Sequence, residues 1–562
     1  MRLFKEFSSC APNRTFLSII AGACAGVLYS LLIPVVLGAL VPDTTGLDHA
    51  NSMNKSVLGF EVSNAGFAAL FFALCALILI LRTTSQILLI RISVDVTTSL
   101  RTKLYRKIFN APVAALDAMG STRIIAVLSD DVRKVVFGGR LLPDLIVSAV
   151  TLIGMLLYLL YLSKAAFFFV LKALAFGVIS YQLPMYFGTR SFTRSRHLYD
   201  RLQEGMRGLI YGIKELKLDQ RKRDYYFNTV MAEREADLVR ADRNAFSLTA
   251  AAAGYGDLIS FFVIGFVAFV FVNYHAIGAQ ELIGVVMALL YITGPVAVIL
   301  GIVPQIAIAQ VSLRRIDQLM TGIPDEALRE QVRPVDAWEA IYYTALSYQY
   351  PAKDGVPGFV VGPVDFSIRR GQLTLIVGGN GSGKSTLAKL ISLHYAPTGG
   401  TIRFGGQQVD DPNRVDFREE ISTIFSDYYL FDRILSEFTP ELKARADAYL
   451  DLLGLDGKTA LENGHFSTLS LSDGQRKRIA LLVSFLEDKA LYLFDEWTAD
   501  QDPEFREVFY LRILPDLKMR GKAVVVISHD DRYFHVADQL VRMEYGQIVS
   551  VESADNLNRA VA

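Results

Sequence analysis

Six apolar runs, each near the length of about 20 residues that a helix needs to cross a bilayer, dominate the first half of this 562-residue chain. They fall at roughly 15–41, 65–89, 142–162, 165–187, 255–273 and 282–309. A backbone surrounded by hydrocarbon must satisfy its own N–H and C=O groups, and a helix does so within one segment. The expectation is therefore a membrane α-helical domain of six spans. The third and fourth runs are separated by little more than Ser163-Lys164, so they form a helical hairpin. The bulk composition leans the same way: 52% apolar and 20% charged residues, against about 25% charged in a soluble domain. The three cysteines, Cys10, Cys24 and Cys75, have no metal-ligand spacing and read as small core hydrophobes. A formal net charge of +0 argues neither for nor against nucleic acid on its own, and no nucleic-acid partner is expected.

That zero hides an uneven distribution. The start carries Arg2, Lys5 and Arg14, and basic residues crowd the segments between runs two and three and between runs four and five. The other loops hold Lys55 and Lys164 and little else. Positive charge thus alternates with every second loop, which puts both termini and the two long basic segments in the cytoplasm. The first run is long and lacks a cleavage pattern, so it reads as a retained span rather than a signal peptide. Within the two basic segments, 93–109 and 198–244 read as long helices with charged faces. Each segment has a break, at 111–121 and 205–212, where a short helix is suited to dock sideways on another domain. Arg82, Lys172 and Asp257 lie in or at the edge of apolar runs. They line a substrate cavity or make interhelical pairs, and the sequence weighs these equally. Gly22 and Gly26 are spaced for close helix packing. Pro34, Pro295 and Pro304 lie where they would kink spanning helices.

Composition changes after Arg314-Arg315. Residues 1–321 are expected to form the transmembrane domain, 322–334 a linker, and 335–562 a soluble α/β domain of short β-branched strands alternating with polar helices. Within it, Gly378-Gly379-Asn380-Gly381-Ser382-Gly383-Lys384-Ser385 fits G-x-x-x-x-G-K-[ST]. A buried strand, 373–377, precedes it, and an amphipathic helix opening with Thr386 follows. The glycines let backbone N–H groups converge on a polyphosphate at a helix N-terminus. Lys384 is placed to reach the outer phosphates, and Ser385 to offer Mg²⁺ a hard oxygen. Leu491-Tyr492-Leu493-Phe494-Asp495-Glu496 is an apolar strand ending in two carboxylates. Asp495 is suited to the Mg²⁺ and Glu496 to polarising the attacking water. The strand 523–527, followed by Ser528-His529, brings a histidine toward the γ-phosphate. Leu471-Ser472-Asp473-Gly474-Gln475 precedes a helix, so Ser472 and Gly474 sit at a second helix N-terminus suited to an anion.

On these motifs the chain resembles the ATP-binding cassette proteins, whose signature is Leu-Ser-Gly-Gly-Gln; here Asp473 replaces the first Gly and is expected to point away from phosphate. Six spans followed by one P-loop nucleotide-binding domain look like a half-transporter of the exporter type. The resemblance implies that Tyr350 stacks on adenine, that Ser426 stands where the family has its Q-loop Gln, and that Asp502 is the D-loop carboxylate. It also implies ATP and Mg²⁺ as ligands. Lys384 and Ser472, about ninety positions apart, would meet only across a dimer of two copies. The breaks near 116–122 and 207–218 would pass the closing motion to the spans. The stretches around Phe494–Arg506, Gly474–Arg478 and Ser528–Phe534 resemble the bacterial cyclic-peptide exporters, a group that includes siderophore-precursor and lasso-microcin exporters. The expected function is export of such a peptide across the inner membrane, with membrane lipid around the spans. A lipid flippase and a membrane ATPase regulating a partner are the alternatives. A processing peptidase is disfavoured, because only about fourteen residues, with Cys10 among them, precede the first run.

Overall fold

The computed structural model describes residues 2–40, 55–57, 60–62, 65–270, 273, 279–326, 333–352 and 355–553. The chain divides into two units, 1–104 with 125–319 and 105–124 with 320–562.

The first unit is helical. Its long helices are α1 (Pro12–Leu40), α2 (Ala65–Phe109), whose last turn belongs to the second unit, α4 (Leu142–Leu162), α5 (Lys164–Tyr211), α6 (Ala232–Phe269) and α7 (Ala279–Gly322); α3 (Val113–Met119) is a short helix of the second unit. These six long helices carry the six apolar runs. Among the described residues, four helical stretches are long and apolar enough to cross a membrane: Pro12–Leu37, Gly66–Phe109, Ser121–Leu162 and Glu281–Gly322. The fourth and fifth runs lie on α5 and α6, where several side chains fall outside the described residues. Ser163 ends α4 in an extended conformation and caps α5 by accepting the Ala166 N–H, so the hairpin turns where the sequence places it. α1, α4, α5, α6 and α7 share a core around Ile33, Met155, Val170, Val267 and Leu289. Outward faces stay apolar, as at Phe72, Leu79, Phe262 and Phe269, which suits hydrocarbon and not water.

Close approach explains the α1 glycines. A Cβ on Gly26 would come within 2.8 Å of the Val147 carbonyl oxygen, and one on Gly22 within 3.2 Å of Ser85 Oγ. Ser18 and Ser85 exchange hydroxyl-to-carbonyl bonds of 2.8 and 2.7 Å between α1 and α2. Arg82 donates to Tyr29 Oη at 3.2 Å and stands 3.6 Å from Asp144, so it makes an interhelical pair. Lys172 is exposed on α5, and the side chain of Asp257 lies outside the described residues. α1 and α7 run continuously through Pro34, Pro295 and Pro304. Cys24 is exposed rather than packed in a core, because a spanning helix places hydrophobes outward as well as inward. The long basic segment 198–244 is helical, with α5 ending at Tyr211, capped by Gly212, and shorter helical pieces reaching α6.

The second unit is α/β. β1 (Ala340–Gln349), β2 (Val360–Arg369), β4 (Gly399–Phe404) and β5 (Gln407–Gln408) make an antiparallel sheet in the order β2-β1-β4-β5. β3 (Leu373–Gly378), β6 (Ile421–Ile424), β7 (Leu491–Asp495), β8 (Ala523–Ile527), β9 (Gln539–Glu544) and β10 (Gln547–Ser553) make the second, in the order β10-β9-β3-β8-β7-β6. Its strands are parallel apart from the β9–β10 hairpin. Both faces are covered. Tyr492 and Phe494 enter one core, Leu491 and Leu493 the other, which is why β7 reads as an unbroken apolar run. α8 (Lys384–Ile391) and the antiparallel sheet join the second core; α9 (Asp473–Glu487) covers the first.

The short helix α3 lies at the first break of the basic segments. Asp117 on it accepts from Lys389 Nζ and Tyr395 Oη, each at 2.8 Å, and Val113 and Ala114 pack against the core that holds α8. Arg418 grips both oxygens of Glu326 beside it, at 3.1 and 2.5 Å. The expected 322–334 connection includes 327–332, which lie outside the described residues.

Candidate functional site

Register decides what meets at the site. Asp495 on β7 is paired with Ile527 on β8, and Ile527 with Ile376 on β3. Three parallel strands therefore deliver the glycine-rich loop, Ser528-His529 and Asp495-Glu496 to one sheet edge, the carboxyl edge where α/β proteins bind ligands. Gly381 and Gly383 have φ of +77° and +97°, a conformation that costs other residues energy. A Cβ on Gly383 would also come within 2.9 Å of Val361.

The loop is shaped for an anion. Lys384 is buried, and its ammonium folds back to donate to the Gly378 and Gly379 carbonyls at 3.1 and 3.0 Å. Ser382 Oγ is buried without a hydrogen-bond partner, and so is Asp495 Oδ1. A buried polar atom without a partner costs about 1–3 kcal/mol, and a ligand bound at the loop would relieve both. Gly379, Asn380, Gly381 and Ser385 are exposed around them, and Thr386 is buried. Burial, and next the adjacent Glu496 carboxylate, hold the Asp495 carboxyl above its ordinary range; bonds from Ser426 and the Lys384 ammonium act against this. A desolvated carboxylate beside a phosphate loop fits Mg²⁺, which takes oxygen ligands. When bound there, Mg²⁺ would neutralise charge on the phosphate oxygens, held by Asp495 and Ser385.

Glu496 sits at φ +50°, with its N–H bonded to the Ile527 carbonyl at 3.1 Å. His529 Nε2 lies 3.0 Å from Glu496 Oε1, so the two expected catalytic side chains touch. Ser426 Oγ donates to Asp495 Oδ2 at 3.5 Å, so the short, exposed side chain at the Q-loop position reaches the carboxylate. Tyr350 donates or accepts at Thr386 Oγ1 (3.1 Å), and its ring packs edge-on against Tyr348 and Tyr395 at 5.1 and 6.1 Å.

The signature residues stand elsewhere on the unit and are bonded among themselves. Ser472 caps α9, accepting the Gln475 N–H at 3.4 Å, while Gln475 Oε1 accepts the Ser472 N–H at 3.2 Å, a capping box. The Gly474 carbonyl accepts from Gln501 Nε2 at 3.0 Å. Asp473 is exposed in the first helical turn. Asp502 is used internally: it accepts the Phe505 N–H at 2.7 Å and pairs with Arg478. Those two contacts, the first the larger, hold its carboxyl below the usual range. The structure thus gathers Gly378–Thr386, Tyr350, Ser426, Asp495, Glu496 and His529, and leaves Ser472–Gln475 and Asp502 in a separate group.

Three side chains escaped the sequence reading. Lys477 hides in the run Arg476-Lys477-Arg478, yet it is buried with Leu481, Ser484 and Phe485 at helical spacing; that periodicity was the available signal. Asp117 and Lys389 are 272 positions apart, and nothing local links them.

A phosphate loop on a parallel sheet, with carboxylates and a histidine at the same edge, in a chain that also carries bilayer-length apolar helices, defines a membrane-bound ATPase. Residues 15–296 match the ABC transporter transmembrane region family and 361–499 the ABC transporter family. The chain is 32% identical to the ATP-binding protein SyrD of Pseudomonas syringae pv. syringae, over 96% of this chain and 95% of that protein. It is 24% identical to the ATP-dependent lipid A-core flippase of Methylobacillus flagellatus, over 82% of this chain and 80% of that one. A nisin transport ATP-binding protein, NisT of Lactococcus lactis, is 32% identical over 38% of each chain. The chain belongs to the ABC transporters of the exporter type, multi-pass membrane proteins that couple ATP hydrolysis to transport.

Proposed function

We propose that two copies of this chain export a cyclic or lasso peptide, or a related peptide siderophore precursor, across the bacterial inner membrane by alternating access. The ATPase units and both termini face the cytoplasm. The observation that carries the two-copy reading is the contrast in bonding: Ser382 Oγ and Asp495 Oδ1 lack partners, while exposed Ser472 and half-buried Gln475 satisfy each other at a helix N-terminus. An anion held by the loop of one copy is thereby offered Ser472 and the α9 N-terminus of the other.

In this reading Lys384 and the loop N–H groups hold the phosphates, and Tyr350 supports the adenine. Glu496 orients the attacking water, with His529 fixing the carboxylate and facing the γ-phosphate. Ser385 and Asp495 hold Mg²⁺. Asp117, gripped by Lys389 of the loop's own helix and by Tyr395, carries movement of α8 to the end of α2. The peptide substrate is supported by the likeness of 494–506, 474–478 and 528–534 to the cyclic-peptide exporters.

A second reading, lipid flipping, is favoured by the relative named a lipid A-core flippase. The experiment is ATPase activity of the protein in lipid nanodiscs, with cyclic or lasso peptides added against lipid A in the disc. Stimulation by peptide alone supports peptide export. Stimulation by lipid A alone replaces it with the flippase reading.

A further inference from the structure

Lys477 is a buried cation for which the ATPase chemistry above has no use. Its ammonium lies 2.7 Å from Asp500 Oδ2 and donates to the Glu496 carbonyl at 3.3 Å. Its own carbonyl accepts from Trp497 Nε1 at 3.0 Å, and Trp497 is itself buried, stacked 4.5 Å from Phe509. One turn nearer the helix start, a Cβ on Gly474 would come within 2.8 Å of the Asp500 carbonyl oxygen. The first turns of α9 and the segment 496–501 are therefore one bonded block. A charge kept out of water is tolerated when paired and hydrogen-bonded, and here both partners belong to the loop that carries Glu496.

We propose that Lys477 is a positioning residue that couples the two ATP sites of the dimer. The inference rests on the two-copy reading above. In that arrangement Ser472, at the start of α9, serves the nucleotide held by the other copy. Lys477, in the second turn of the same helix, holds the main chain of Glu496, which serves the copy's own nucleotide. Glu496 sits at φ +50°, so its carboxylate direction depends on what restrains that backbone. Displacement of α9 by the neighbouring site's phosphate is passed through the ammonium to the Glu496 carbonyl, and with it to the direction of the carboxylate. Each site then turns over at a rate set by the occupancy of the other.

The test uses full-length protein in nanodiscs, with steady-state ATPase measured against ATP concentration. The variants are Lys477→Met, Asp500→Ala and Lys477→Arg. Wild type is expected to show a Hill coefficient above 1. Lys477→Met and Asp500→Ala are expected to lower kcat about tenfold or more, to bring the Hill coefficient to 1, and to leave KM within about twofold, a loss confined to turnover. Lys477→Arg, which keeps the charge, is expected to restore cooperativity. Asp500 is half-exposed, so its variant reports even if Lys477→Met fails to fold. Wild-type kcat and cooperativity in Asp500→Ala overturn the inference. A lowered kcat with unchanged cooperativity also overturns it, because the effect is then local. An active, non-cooperative single copy of the wild type instead overturns the two-copy reading beneath it.

Discussion

The two ends of the nucleotide-binding unit are built on opposite principles. At the glycine-rich loop, polar atoms are buried and short of partners, and Lys384 falls back on the loop's own carbonyls. At the start of α9, each signature group with a named contact is bonded within 472–501: Ser472 and Gln475 to each other, Gly474 to Gln501. One end is a cradle shaped for an anion, and the other is a finished surface that presents a helix N-terminus. The difference teaches that a unit can carry every motif of an ATPase and still hold them apart. In the two-copy reading proposed above, catalysis then depends on where a second copy places its finished surface.

The comparison can be broken in several ways, starting with the largest effect. Lys384→Ala removes the one ammonium in the cradle, and ATP binding and hydrolysis are both expected to fall by 100-fold or more (about 3 kcal/mol, the scale of a lost charged hydrogen bond); nucleotide filter binding and phosphate release check this. Glu496→Gln should keep ATP binding while phosphate release drops about 100- to 10,000-fold, the range of a general base. Unchanged release would contradict its role. Ser472→Ala removes the α9 cap as well as the presented hydroxyl. It is expected to destabilise the helix by about 0.5–2 kcal/mol, seen as a lower Tm, and to slow hydrolysis while leaving ATP binding to the loop intact.

A pH-dependent effect separates the cradle from its supports. His394 bonds Ser392 at 2.9 Å, and burial, then the Arg418 charge, push its pKa from 6.5 down to about 4. The unfolded chain binds the proton first, so this contribution is whole above about pH 6.5 and is lost as pH falls toward 4, by up to about 3 kcal/mol. Stability of His394→Gln against pH should be flatter than wild type in that window, by chemical denaturation.

The cradle was legible in the sequence because its chemistry is contiguous: Gly378–Ser385 and Leu491–Glu496 each carry a strand and its terminal polar residues in one stretch. The six apolar runs were legible because bilayer thickness fixes helix length, and the hairpin turns at Ser163 as the spacing says. Other features depend on distant segments of the chain. The meeting of Glu496 with His529 follows from the β7–β8 register, not from either segment alone. Asp117 finds Lys389 across 272 positions, and the charge run 476–478 conceals which of its three cations points inward. Ser426 reaches Asp495 because β6 and β7 pair side by side, which neither stretch shows alone.

The most direct test mixes two dead chains. Lys384→Ala in one copy spoils its cradle, and Ser472→Arg in the other spoils its presented helix end. If each site is shared between copies, the mixed dimer keeps one intact pair, the loop of the second chain with the signature of the first. ATPase activity is then expected to return in the mixed dimer while each variant alone stays inactive. A mixed dimer as inactive as its parents would contradict the account.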